Sequence, residues 1–86
     1  MEINELGKIL HDMYFNAKGN KVAMIHLFGI KYSKDIQLRD VSEIVKIAGI
    51  NVPSYATEIR KGITLANYVV LNENGIKNTQ LTNQTL

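Results

Sequence analysis

Residues 40–62 read DVSEIVKIAGINVPSYATEIRKG, and no other stretch limits the possible folds of this chain so tightly. Asp40 followed three residues later by Glu43 has the form of a capping box. The Asp40 side chain accepts from an orphan N–H of a first helical turn, and Glu43 reaches back. Ile44, Val45 and Ala48 supply an apolar face, and Gly49 stands where a left-handed residue ends a helix. Pro53 holds Val52 extended, so a second helix is expected to begin near Ser54. It runs from Tyr55 to Lys61, and Gly62 is read as its end. The result is two short helices joined by a glycine-initiated turn.

The flanking segments supply what this pair packs against. Ile3, Leu6, Leu10, Met13, Tyr14 and Ala17 recur in steps of three and four, which predicts a helix over 3–17 that stops at Gly19. Asn20 is a good N-cap for the next segment, Val22 to Ile30, which is apolar almost all round and reads as a central helix buried on several sides. A buried strand is the competing assignment, because periodicity does not separate the two in a short apolar run. Gly29 is expected to end or bend that helix, and Lys31 to Gln37 either extends it or loops away. Beyond Gly62, Leu65 to Leu71 reads as a last helix or a strand. Val69-Val70-Leu71 favours strand, and Asn74-Gly75 is a tight-turn pair, so a short C-terminal β-hairpin is one option. The Asn-, Thr- and Gln-rich remainder is expected to fray. The expectation is therefore a mostly α protein, a small helical bundle with a domain at 1–72 and a polar C-terminal tail at 73–86.

Composition narrows the function classes. A chain of 86 residues is one domain at most, and so small a core makes a partner or a second copy plausible. There is no cysteine, which excludes disulfides and thiolate zinc sites. His11 and His26 are too few for a histidine-rich metal cluster. Neither a phosphate-binding glycine loop nor a nucleophile elbow occurs, and Glu2, Glu5, Asp12, Asp35 and Glu73 show no paired acid–base spacing. No catalysis, metal or cofactor is expected. No apolar run is long enough to span a bilayer and no signal-like N-terminus is present, so no membrane association and a cytoplasmic location are the default expectations.

Two helices about such a turn can dock steeply and present the second to a major groove. That packing needs small or apolar residues where the helices touch, a role assigned to Val45, Ala48, Ile50, Ala56 and Ile59. The outward residues of the second helix, Ser54, Tyr55, Thr57, Arg60 and Lys61, are the candidate DNA-binding set. Ser54 and Tyr55 are placed to donate to phosphate or base edges, helped by free backbone N–H groups at the helix start. Arg60 suits guanine, and Lys61 a phosphate.

On Ala48-Gly49-Ile50, Tyr55-Ala56-Thr57-Glu58-Ile59 and Lys61-Gly62, the stretch resembles the helix-turn-helix of bacterial repressor-type regulators. The whole chain resembles the small bacterial HTH-like domain proteins. Two features depart from the repressor pattern: the turn is one residue longer, with Val52-Pro53 as the insertion, and Val45 stands where alanine is usual. The resemblance implies a DNA-binding protein of 40–62 helix-turn-helix type, with double-stranded DNA as partner. A homodimer would match palindromic sites. The alternative is a small protein–protein interaction module with no nucleic-acid role, using apolar segments around Met24 to Ile30 and Val69 to Leu71. Local charge is nearly balanced, with Arg39, Lys46, Arg60 and Lys61 against Asp40, Glu43 and Glu58, and Glu58 falls within the reading helix itself. Lys18, Lys21, Lys31 and Lys34 are equally readable as a solvated surface or a phosphate-contacting face. His26 reads as a packed, hydrogen-bonded core residue and His11 as an exposed helix residue.

Overall fold

The computed structural model describes residues 1–37, 39–72 and 75–77. Five helices and one hairpin are found among them: α1 Ile3–Phe15, α2 Lys21–Lys31, α3 Ser33–Ile36, α4 Val41–Ile47, α5 Tyr55–Leu65, β1 Val70–Asn72 and β2 Gly75–Lys77. The mostly helical expectation holds, and Val22–Ile30 is helix rather than strand. Its start is fixed by Asn20, whose side chain accepts from the Ala23 N–H at 3.1 Å, satisfying a donor that the first turn leaves open. Lys31 closes α2, and Tyr32–Gln37 neither extends that helix nor simply loops. The chain breaks at Tyr32 and forms the single turn of α3, whose Ile36 is fully buried.

Leu6 and Leu10 of α1, Ile25 and Phe28 of α2, Ile36, Ile44 of α4 and Ile59 of α5 are all withdrawn completely from solvent and form one core. α1 lies across α4 and α2, while α2 packs most extensively on α5. The α2–α5 crossing corrects the sequence reading at two glycines. Gly62 does not end α5, which continues to Leu65, and Gly29 lies inside α2. A methyl group on Gly62 would strike the His26 carbonyl oxygen and come within 3.0 Å of the Gly29 Cα. These glycines are therefore points of backbone-to-backbone approach, not punctuation.

β1 and β2 pair antiparallel in the register Val70 with Lys77, Leu71 with Ile76 and Asn72 with Gly75, so the hairpin option is the one realised. Asn74 of the turn pair, and residues 78–86 of the tail expected to fray, lie outside the described residues. Among the described residues no helix is long and apolar enough to cross a membrane.

Candidate nucleic-acid interface

The turn between α4 and α5 is built as its residue types require. Asp40 caps α4 by accepting from the Glu43 N–H at 3.2 Å. Glu43 does not reach back; its carboxylate lies 4.0 Å from Lys46 instead. At the other end Gly49 adopts φ +76°, a conformation that costs a residue with a Cβ about 1 kcal/mol or more. The Gly49 N–H donates to the Lys46 carbonyl at 3.0 Å and the Ile50 N–H to the Val45 carbonyl at 3.2 Å. These are the paired bonds of a Schellman ending, and they turn the chain out of α4. The Ala48 carbonyl left over at this end accepts from His11 Nδ1 of α1 at 2.8 Å. Since a carbonyl only accepts, that nitrogen carries the proton. His11 is thus more than an exposed helix residue: it ties α1 to the turn. Its distance of 37 positions from Ala48 gave the sequence no signal of this.

Val45, Ala48, Ile50, Ala56 and Ile59 are all buried in the common core, as the helix-pair packing requires. At 100° per residue, Ser54, Thr57, Arg60 and Lys61 then share the opposite, outward face, and all four are exposed. Thr64 joins them; reading Gly62 as a helix end had hidden it. Tyr55 is not brought to that face. It lies nearly opposite Thr57, half-buried, with its ring 5.6 Å from that of Tyr14 and the two hydroxyls 3.5 Å apart. The Tyr14 hydroxyl, and burial after it, hold the Tyr55 phenol above its ordinary pKa. The helical period alone carried this information.

The start of α5 also differs from expectation. The N–H groups of Tyr55, Ala56 and Thr57 are not free for a ligand; they donate to the carbonyls of Val52, Pro53 and Ser54 at 3.0, 3.2 and 3.1 Å. Pro53-Ser54 forms a tight turn leading into the helix, and Ser54 takes helical angles without capping through its side chain. What α5 offers is a row of side chains, not an open helix terminus.

Glu58, the acidic residue within the presumed reading helix, is turned to the α2 side. Its Oε1 accepts from His26 Nε2 at 2.6 Å and its Oε2 from Lys61 Nζ at 3.3 Å. The His26 hydrogen bond first, then Lys61, hold its carboxyl below the ordinary value against the opposing effect of burial. His26 is accordingly hydrogen-bonded but only half-buried, at the seam of α2 and α5. A lowered carboxyl pKa contributes stability above the unfolded-state value, about 4.3 for Glu, and the contribution is lost as pH falls through the folded value. Glu58→Gln keeps the shape and an acceptor for His26. Thermal melts should therefore show wild type above the variant near neutral pH, with the gap closing below about pH 4. A gap independent of pH would show that the charge of Glu58 is not what links the helices.

Among the described residues no group of three or more His, Asp or Glu side chains is placed to hold a metal ion. A family model described as HTH-like domain matches residues 2–72, from the start of α1 to the end of β1. No curated protein and no solved structure matches the chain.

Proposed function

The chain belongs to the HTH-like domain family, and on that premise we propose that it is a sequence-specific DNA-binding protein, a transcriptional regulator that reads double-stranded DNA with α5. The observation that carries this reading is the outward row of Ser54, Thr57, Arg60 and Lys61 opposite buried Ala56 and Ile59, with the Glu58 carboxylate engaged by His26 and Lys61. A carboxylate free to face the duplex would repel phosphate; here its two oxygens are taken up by His26 and Lys61, and among the described residues Arg60 is in no ion pair. Arg60 is the base-reading residue, because its planar fork matches the paired acceptors of guanine. Lys61 contacts phosphate and is partly neutralised by Glu58. Tyr55 supports the helix start against Tyr14. A homodimer in the cytoplasm suits this role, since one helix of this length reads few base pairs and two-fold pairing doubles the contact. The role is one of binding, not catalysis.

Arg60→Ala should weaken binding to a preferred duplex by about 1–3 kcal/mol and relax the preference at one base position. Lys61→Ala should instead weaken binding to all sequences and flatten the salt dependence. Fluorescence anisotropy on duplexes selected from a random pool measures both. Folded variants with unaltered DNA affinity would give the lead to a protein-interaction module. That second reading draws on Tyr68, just before the hairpin, and Val70, in β1, which are 75% and 60% exposed. It draws less on Met24 to Ile30, where Ile25, Phe28 and Ile30 are already buried.

A further inference from the structure

Three of the lysines outside the helix pair, Lys21, Lys31 and Lys34, differ in their surroundings. Lys21 donates to the Tyr14 carbonyl at 2.9 Å and lies over the Tyr14 ring. Lys31 lies over the Tyr32 ring. Lys34 is different. From α3 it lines a groove of about 410 Å³ shared with the end of α5, whose polar lining is Ser33, Lys34, Gln37, Thr64 and Asn67 beside Ile63. No carboxylate lines this groove; Asp35 lines the adjoining cleft on the β1 side, which Ser33 and Lys34 border as well. Among the described residues no carboxylate oxygen lies within ion-pair distance of the Lys34 ammonium.

Two facts tie the groove to the outward face of α5. Thr64, in its wall, continues the row of Thr57, Arg60 and Lys61 at helical spacing. It also sits one turn beyond Arg60, roughly 6 Å along the axis at 1.5 Å per residue. The major groove is about 12 Å wide, so a side chain at its centre has a phosphate row about half that distance to either side. Lys34 supplies an ammonium there, Ser33 a hydroxyl, and Gln37 and Asn67 side-chain amides. All can donate to a phosphate oxygen, and no carboxylate lines the groove itself. The Thr64 hydroxyl is already engaged with the Arg60 carbonyl at 3.2 Å and serves as wall.

We infer that the groove between α3 and the end of α5 is a phosphate subsite, holding a backbone phosphate of the same duplex whose bases α5 reads. The inference rests on the DNA-reading proposal and adds to it a contact made by a part of the chain outside the helix-turn-helix. Phosphate contacts fix position without carrying sequence information, so the subsite sets register and affinity while Arg60 sets preference.

The test is anisotropy titration of the full chain, its Lys34→Gln variant and its Arg60→Ala variant. Each is titrated with a labelled preferred duplex and a labelled scrambled duplex between 50 and 200 mM salt. Lys34→Gln should weaken binding to both duplexes by the same factor and leave the preferred bases unchanged. One phosphate contact fewer lowers the log–log salt slope by about 0.9, so the variant's fourfold salt step should cost about 3.5-fold less affinity than the wild type's. Arg60→Ala should narrow the gap between the duplexes instead. Wild-type affinity and slope in a folded Lys34→Gln variant would overturn the subsite while leaving the reading by α5 intact, as would a change in base preference. Wild-type protein that binds neither duplex at 50 mM salt would overturn both.

Discussion

Ile59→Ala should lower the stability of the protein by about 2–5 kcal/mol, the range for emptying a large aliphatic site in a packed core. Ile59 has no solvent-accessible surface and lies in one cluster with Ile44 and Ala56. It thereby joins the two helices of the motif to each other and to the core built by α1 and α2. A small domain holds only about 5–15 kcal/mol in all, so the loss is a large fraction of the total. At about 4–8 °C per kcal/mol for a domain of this size, a melting experiment resolves it easily. Ile59→Val, which removes one methylene, should cost only about 0.5–1.5 kcal/mol. Equal and small losses for both variants would mean that the site is neither buried nor tightly packed, and the docking of α5 would have to be redrawn.

Gly62→Ala should also destabilise, although local propensity points the other way. In an exposed helix interior, alanine is favoured over glycine by roughly 1 kcal/mol. Here the added methyl would meet the His26 carbonyl oxygen and the Gly29 Cα, which are backbone atoms of a packed helix and cannot swing aside. α2 and α5 would have to move apart, opening the seam that holds Ile25, Phe28 and Ile59. Overpacking of this kind typically costs about 1–3 kcal/mol, and contact with backbone places Gly62→Ala at the upper end. Chemical denaturation of wild type and variant measures the difference. Unchanged or raised stability would show that the helices cross farther apart than described. The functional readout follows from the same geometry. His26 and Glu58 sit at this crossing, so separated helices would release the Glu58 carboxylate from His26 and, on the DNA-reading proposal, weaken duplex binding.

Local chemistry carried much of the fold into the sequence. Asn20 and Asp40 cap the helices they were read to cap, because a short side-chain acceptor beside open N–H groups acts within four residues. Gly49 takes the left-handed conformation, because the penalty that excludes other residues is also local. The burial of Val45, Ala48, Ile50, Ala56 and Ile59 followed from spacing, since a helix repeats its face every three or four residues. The outward placement of Thr57, Arg60 and Lys61 is the complement of that pattern.

Tertiary packing decided the remainder. A glycine is identical in sequence whether it ends a helix or admits a neighbouring backbone, and only the approach of α2 shows that Gly62 does the second. That single ambiguity shortened α5 and hid Thr64. Glu58 read as an unfavourable charge on the reading helix until His26, 32 positions away, was placed against it. His11 is exposed as read, but its hydrogen bond to the Ala48 carbonyl had no signal in the sequence. The Lys34 groove has walls from α3 and α5 that no periodicity brings together. The sequence by itself determined where the four longer helices start, where one of them turns and which faces are apolar, because those follow from backbone sterics and hydrogen bonds spanning a few residues; the single turn of α3 was not legible. Which polar group meets which, and which glycine is a contact, depended on how the helices cross, a property of the assembled core.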